Sequence, residues 1–182
     1  TSVFKSQIPA MEKSDFLVMF EPVGATAQPI VITQNEFMRR MKDMAAIQSG
    51  MAFYGELPDS YNLIVNTDHP LSQKVIADTE SACKSELTPI LDELKTVNEE
   101  IERLQEAKKD KKDDEIPVAD KEALKHAEEK AKELRAKESD ILKTYADRTP
   151  LVRQLVDLAL LSNNMLKGEA LSKFIKRSVE ML

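Results

Sequence analysis

Apolar positions in this chain follow three different rhythms, and each rhythm predicts a different kind of element. The first eight residues, through Ile8, read as the tail of a helix. Between Asp15 and about Asp78 the pattern switches repeatedly. Phe16-Leu17-Val18-Met19-Phe20 and Pro29-Ile30-Val31-Ile32-Thr33 are short, apolar and β-rich, and Pro22, Gly24 and Pro29 punctuate them, so both predict strands. Asn35 is then expected to cap a helix in which Phe37, Met38, Met41, Met44, Ala45 and Ile47 recur at helical spacing until Ser49-Gly50 stops it. A third strand follows at Tyr61-Asn62-Leu63-Ile64-Val65. Thr67-Asp68-His69-Pro70 then supplies a cap and an early proline for another helix.

From about Thr79 the strand signal disappears and Glu, Lys, Ala and Leu dominate. Leu87, Ile90, Leu94, Val97, Ile101 and Leu104 alternate by three and four, which is a heptad seam. A second seam, Leu124, Ala127, Ala131, Leu134, Ile141 and Tyr145, answers it, with Glu138 the one polar residue at a core position. The Lys/Asp-rich run from Lys108 to Glu115, ending at Pro117, reads as a solvated turn between them. Two adjacent amphipathic helices joined by a short polar linker bury each other's seams, so the expectation is an antiparallel helical hairpin. Pro89 either starts its first helix after Thr88 or kinks it.

A third rhythm begins at Thr149-Pro150, a cap followed by proline at the first helical position. Leu151, Val152, Leu155, Val156, Leu158, Ala159, Leu160 and Leu161 follow, interrupted only by Arg153, Gln154 and Asp157. So apolar a helix in so small a domain is expected to meet a partner as well as its own chain. After Gly168, Leu171, Phe174, Ile175, Ser178, Val179 and Leu182 give the last helix one apolar face. The pair therefore predicts half of a four-helix bundle. The fold class expected is α+β and mostly helical, in three parts. A small three-stranded sheet with helices occupies residues 1–78, a coiled-coil hairpin 79–149, and a C-terminal helix pair forming an intersubunit bundle 150–182.

Composition narrows the chemistry. Charged residues are 32% of the 182, against 5% aromatic and four glycines, a balance that suits solvated helices. The net charge of −6 argues against nucleic acid and anionic membranes, whose phosphates draw on clustered Lys and Arg. No apolar run approaches a membrane span, and the N-terminus has no basic-then-apolar leader pattern. Cys83 is the one cysteine and has no internal disulfide partner, so a reducing, cytoplasmic location is expected. The opening Thr-Ser-Val, without Met, suggests a fragment.

The strand Pro29-Ile30-Val31-Ile32-Thr33, the Met-rich helix after it, Leu63-Ile64-Val65-Asn66-Thr67-Asp68-His69-Pro70 and Leu155-Val156-Asp157-Leu158-Ala159-Leu160-Leu161 resemble the C-terminal domain of the ninety-kilodalton heat-shock chaperones, in their bacterial form. The resemblance covers the two ends, up to about Asp78 and from about Pro150. The helical middle departs from the family's usual short link. The resemblance implies a homodimer held by the C-terminal helices, with Leu151, Leu155, Leu158, Ala159, Leu161, Leu171, Phe174, Ile175 and Leu182 at the interface. It implies a surface for non-native client proteins at Phe37, Met41 and Met44. ATP and Mg would be bound by an N-terminal domain of the parent protein, leaving this stretch with no catalytic site, cofactor or metal. The missing acidic tail points to a bacterial source.

The residues also support plainer readings. The Phe37, Met41, Met44 stripe could be ordinary core, although thioethers suit a surface that accepts many shapes. His69 reads as a capping-turn residue and His126 as solvated, because neither has a second ligand at metal spacing. Lys84 could lower the pKa of Cys83, but no base or resolving cysteine accompanies it. Phosphate-loop, dinucleotide and hydrolase motifs do not occur. The alternative to a chaperone domain is a coiled-coil adaptor in which the hairpin is the working part, with an enzyme a distant third.

Overall fold

A computed structural model describes residues 1–11, 13–34, 36–47, 57–109 and 117–181. The proposed Asn35 cap, the Ser49-Gly50 stop, most of the Lys/Asp run and Leu182 lie outside the described residues. In chain order the elements are α1 (Ser2–Lys5), β1 (Ser14–Glu21), β2 (Ile30–Gln34), α2 (Glu36–Ile47), β3 (Asp59–Asn66), α3 (Pro70–Glu106), α4 (Val118–Arg148), α5 (Pro150–Ser162) and α6 (Gly168–Glu180). The fold is mostly helical with a small three-stranded sheet, as the three rhythms predicted. The chain divides into two compact units, one of Thr1–Asp78 with Ala146–Leu182 and the other of Thr79–Tyr145.

In the first unit the strand order is β1-β3-β2, with β1 parallel and β2 antiparallel to β3. Period-two alternation puts Leu63 and Val65 of β3 on one face. Register sets Val18 of β1 and Ile32 of β2 beside Leu63, and Ile30 of β2 beside Val65. All five are buried, so this face is the core side. Helix α5 packs on β2 and on α1, and α6 packs on α5. Val3 and Phe4 of α1 are buried, and the Phe4 ring meets Phe20 edge-on at 6.0 Å. The opening residues are thus part of this core, and Gln7 Nε2 donates to Asp147 Oδ1 at 2.9 Å across a long stretch of chain.

Where β3 ends, one side chain ties three segments together. Asn66 is fully buried; its Oδ1 accepts from the backbone N–H of Val23 at 3.0 Å and of Asp68 at 3.1 Å, and its Nδ2 donates to the carbonyls of Gly24 at 2.8 Å and Gln28 at 3.2 Å. Asp68 Oδ2 accepts from the Gly24 N–H at 2.9 Å, and Ser72 Oγ donates to the Pro29 carbonyl at 2.9 Å. The β1–β2 connection is therefore held by side chains from the end of β3, the turn after it and the first turn of α3, and no side-chain polar atom of Asn66 is left unmet. His69 Nδ1 accepts from the Leu71 N–H at 3.1 Å, which makes it the cap of α3.

Helix α3 is one continuous element of 37 residues, and the division between units at Thr79 falls inside it. Pro89 is interior to the helix, so it does not start one. Having no N–H, it leaves one rung of the ladder unmade. In the second unit Val97 of α3 and Ala127, Ala131 and Leu134 of α4 are buried, with Ile90, Leu94 and Ile101 packed against them. Leu87, Leu104, Leu124, Ile141, Tyr145 and Glu138 are half-buried. Lys130 Nζ meets Glu93 at 2.7 Å and Arg135 Nη2 donates to Asn98 at 3.2 Å, both between α3 and α4.

Candidate functional site

Two apolar surfaces and one buried polar cluster stand out in the first unit. The first surface is α2. Lys42 Nζ pairs with Asp59 at 2.7 Å, fastening the helix beside the start of β3. Met38 and Met41 are half-buried, whereas Phe37 is 68% exposed and Met44 and Ile47 are also exposed. The stripe is thus split between packing and solvent, and ordinary core burial does not account for Phe37. Along the polar side Glu36 is bonded by Arg39 at 2.9 Å and Arg40 at 2.8 Å, which lowers its carboxyl from 4.5 to about 2. Arg39 also reaches Asp43 at 2.8 Å. These i,i+3 and i,i+4 pairs support a helix whose apolar side is only half covered.

The second surface lies on α5 and α6. Val152, Leu155, Val156, Ala159 and Leu160 are buried by the chain's own elements, so α5 is covered more completely than its composition suggested. Of the residues expected at an interface, Leu155, Ala159 and Phe174 lie in this internal core. Leu151, Leu161 and Leu171 are half-buried, and Leu158 and Ile175 are 42% and 53% exposed. Val179, absent from that set, is 66% exposed. Gly168 opens α6 at φ +57°, the left-handed region that glycine enters without Cβ strain.

Between these helices sits Asp157, whose side chain is 1% exposed. Arg153, one turn earlier, donates to its Oδ2 at 3.2 Å, and Arg177 of α6 donates to the same oxygen. Arg177 Nε also donates to Gln154 Oε1 at 2.9 Å, while Gln154 Nε2 donates to Ser178 Oγ at 2.6 Å. The second oxygen, Oδ1, is buried and has no hydrogen-bond partner among the described residues. Such an atom costs on the order of 1–3 kcal/mol. In the sequence Asp157 appeared only as an interruption. The available signal was an Asp in an apolar run with Arg four residues before it, since buried carboxylates are paired.

Cys83 is buried, and burial followed by the charge of Glu86 pushes its thiol pKa up. Lys84 does not lower it, so the condition that would have favoured reactivity is reversed. His126 is exposed on α4, beside a groove of about 540 Å³ floored by Val97, Ala123 and Ala127. Among the described residues no group of three or more His, Cys, Asp or Glu is placed to hold a metal ion, and no helix is long and apolar enough to cross a membrane.

The first unit is thus a mostly helical α+β arrangement in which parts of α2, α5 and α6 leave apolar residues exposed. The chain is 48% identical over all 182 of its residues to the chaperone protein HtpG of Bacteroides thetaiotaomicron and equally to that of Bacteroides fragilis. It is 46% identical over 180 residues to HtpG of Porphyromonas gingivalis. The resemblance read from the sequence therefore stands: the chain is a relative of the bacterial HtpG chaperones. It spans 27% of the length of the Bacteroides relatives. No protein-family profile matches it, and no solved structure does. One expectation changes. The match runs through the helical middle as well as the two ends, so that segment does not set this chain apart from these relatives.

Proposed function

We propose that this chain is the C-terminal dimerisation part of an ATP-dependent bacterial chaperone, acting in the cytoplasm and holding together two arms whose nucleotide sites, with ATP and Mg, lie elsewhere in the parent protein. The observation that carries the reading is the partial cover of the C-terminal helices. Each buries one side in its own chain, yet Leu158, Ile175 and Val179 remain largely exposed. In a homodimer these residues, with half-buried Leu151, Leu161 and Leu171, would meet their copies in a four-helix bundle, over the internal layer of Leu155, Ala159 and Phe174. Tethering makes closure of the two arms intramolecular, which raises their effective concentration for each other. The exposed part of α2, with Phe37, Met41 and Met44, would contribute to the surface that takes non-native clients.

The helical middle is read as an antiparallel coiled-coil hairpin. Pairing Leu94 with Leu134, Val97 with Ala131 and Ile101 with Ala127 accounts for the buried cluster and places half-buried Glu138 opposite Ile90. The compactness of this unit also supports the second reading, a coiled-coil adaptor whose ends merely anchor it. Excision of Thr79–Tyr145 separates the two. A dimer that survives replacement of the hairpin by a short linker favours the chaperone reading, and loss of association or folding favours the adaptor.

The direct test is the molar mass of the chain by light scattering across a wide dilution range, beside a version ending at Lys167 and the surface variant Ile175→Glu/Val179→Glu. A dilution-resistant dimer that becomes a folded monomer in the surface variant is expected. A wild-type monomer at every concentration overturns the proposal.

A further inference from the structure

We infer that Asp157 and Arg177 form a positioning clamp that sets how α5 and α6 present their exposed apolar residues to a second copy of the chain, an inference that rests on the dimer reading above. The argument starts from an imbalance in a buried place. Two guanidinium groups converge on one oxygen of Asp157 while the other oxygen, also buried, has no partner among the described residues. A buried ion pair with an unmet lone pair is a poor source of stability compared with apolar residues of the same volume. What such a pair supplies is geometry, because a planar guanidinium bonded at two points accepts few arrangements of the helices that carry it.

The bonds run between the helices. Arg177 reaches Asp157 and Gln154 together, and Gln154 reaches Ser178, so α6 is held to two successive turns of one side of α5. Leu158 lies one turn beyond Gln154, and Ile175 one turn before Ser178, so the exposed residues flank these bonds on both helices. Rotation of either helix would break the clamp and carry Leu158 or Ile175 off the shared surface. An apolar substitute would bury as well without fixing that rotation.

The experiment compares the dimer dissociation constant with thermal stability for the whole 182-residue chain, its Asp157→Leu/Arg177→Met variant and Gln154→Ala. If the clamp acts as inferred, the double variant melts at or above the wild-type temperature but dimerises at least tenfold more weakly, or gives mixed oligomers. Gln154→Ala, which keeps the buried charges paired, weakens the dimer by a smaller factor. A wild-type dimer matched in affinity by both variants overturns the clamp and leaves the dimerisation proposal standing. A wild-type monomer overturns both. Should the double variant fold poorly, unchanged affinity in Gln154→Ala is itself sufficient to reject the clamp.

Discussion

The two compact units use the same amphipathic logic with different results. In the first, helices, sheet and N-terminal segment close on one another from several sides, and even an apolar helix such as α5 finds cover for most of its surface. In the second, two long helices cover each other along one seam, where Cys83, Val97, Ala127, Ala131 and Leu134 are the buried hydrophobic residues among those described. Cover from several directions makes room for buried polar devices such as Asn66 and Asp157, because enough neighbours surround them to satisfy or constrain them. A single seam has no such depth, and its polar contacts, Lys130 with Glu93 and Arg135 with Asn98, stay at the surface. Specificity in the first unit is thus built from buried hydrogen bonds, and in the second from the spacing of small and large apolar residues.

That contrast breaks most readily in the first unit. Leu160→Ala, at a position with no exposure, is expected to cost about 2–5 kcal/mol, read by denaturant unfolding. A cost below about 1 kcal/mol would mean that the core is looser than its burial implies. Asn66→Ala comes next, at roughly 2–4 kcal/mol, because it removes the acceptor of both the Val23 and the Asp68 N–H. Hydrogen exchange should quicken at Val23 and Asp68 before the rest of the unit. In the second unit, Val97→Ala removes two methyl groups from a thin seam that can partly collapse, and about 1–2 kcal/mol is expected. Removing the exposed Lys130–Glu93 pair should leave the unfolding midpoint almost unchanged, and any loss should shrink further at high salt.

The smallest effect concerns pH. Glu36 has its pKa lowered to about 2, so its contribution to α2 is complete above pH 4.5 and is lost as pH falls through about 2. A carboxyl titration followed by NMR should place Glu36 near 2. A midpoint near 4.5 would mean that Arg39 and Arg40 do not hold it in solution.

The strands, the Met-rich helix and the C-terminal pair were legible because each keeps one period long enough to be counted. Phe16 to Phe20 fits a strand and Leu151 to Leu161 a helix whatever surrounds them. The seam residues Val97 and Ala131 were legible for the same reason. Three things were not. The depth of cover over Leu155 and Ala159 depends on α1 and β2, which are far from them in sequence. Asn66 holds Val23, Gly24 and Gln28 and Asp157 holds Arg177 across some forty and twenty residues, and no local period records a contact of that kind. Continuity of α3 through Pro89 was also hidden, because a proline inside a helix and one at its start look alike in sequence.

The buried thiol has a practical consequence. Cys83 is the only cysteine in the chain, and both its burial and its raised pKa keep the nucleophilic thiolate scarce in the closed state. Its alkylation must therefore wait for the surrounding helix to open, and the labelling rate counts those openings without any engineered probe. At saturating reagent that rate becomes the opening rate itself, so one natural atom serves as a clock for fluctuations that an average structure does not display.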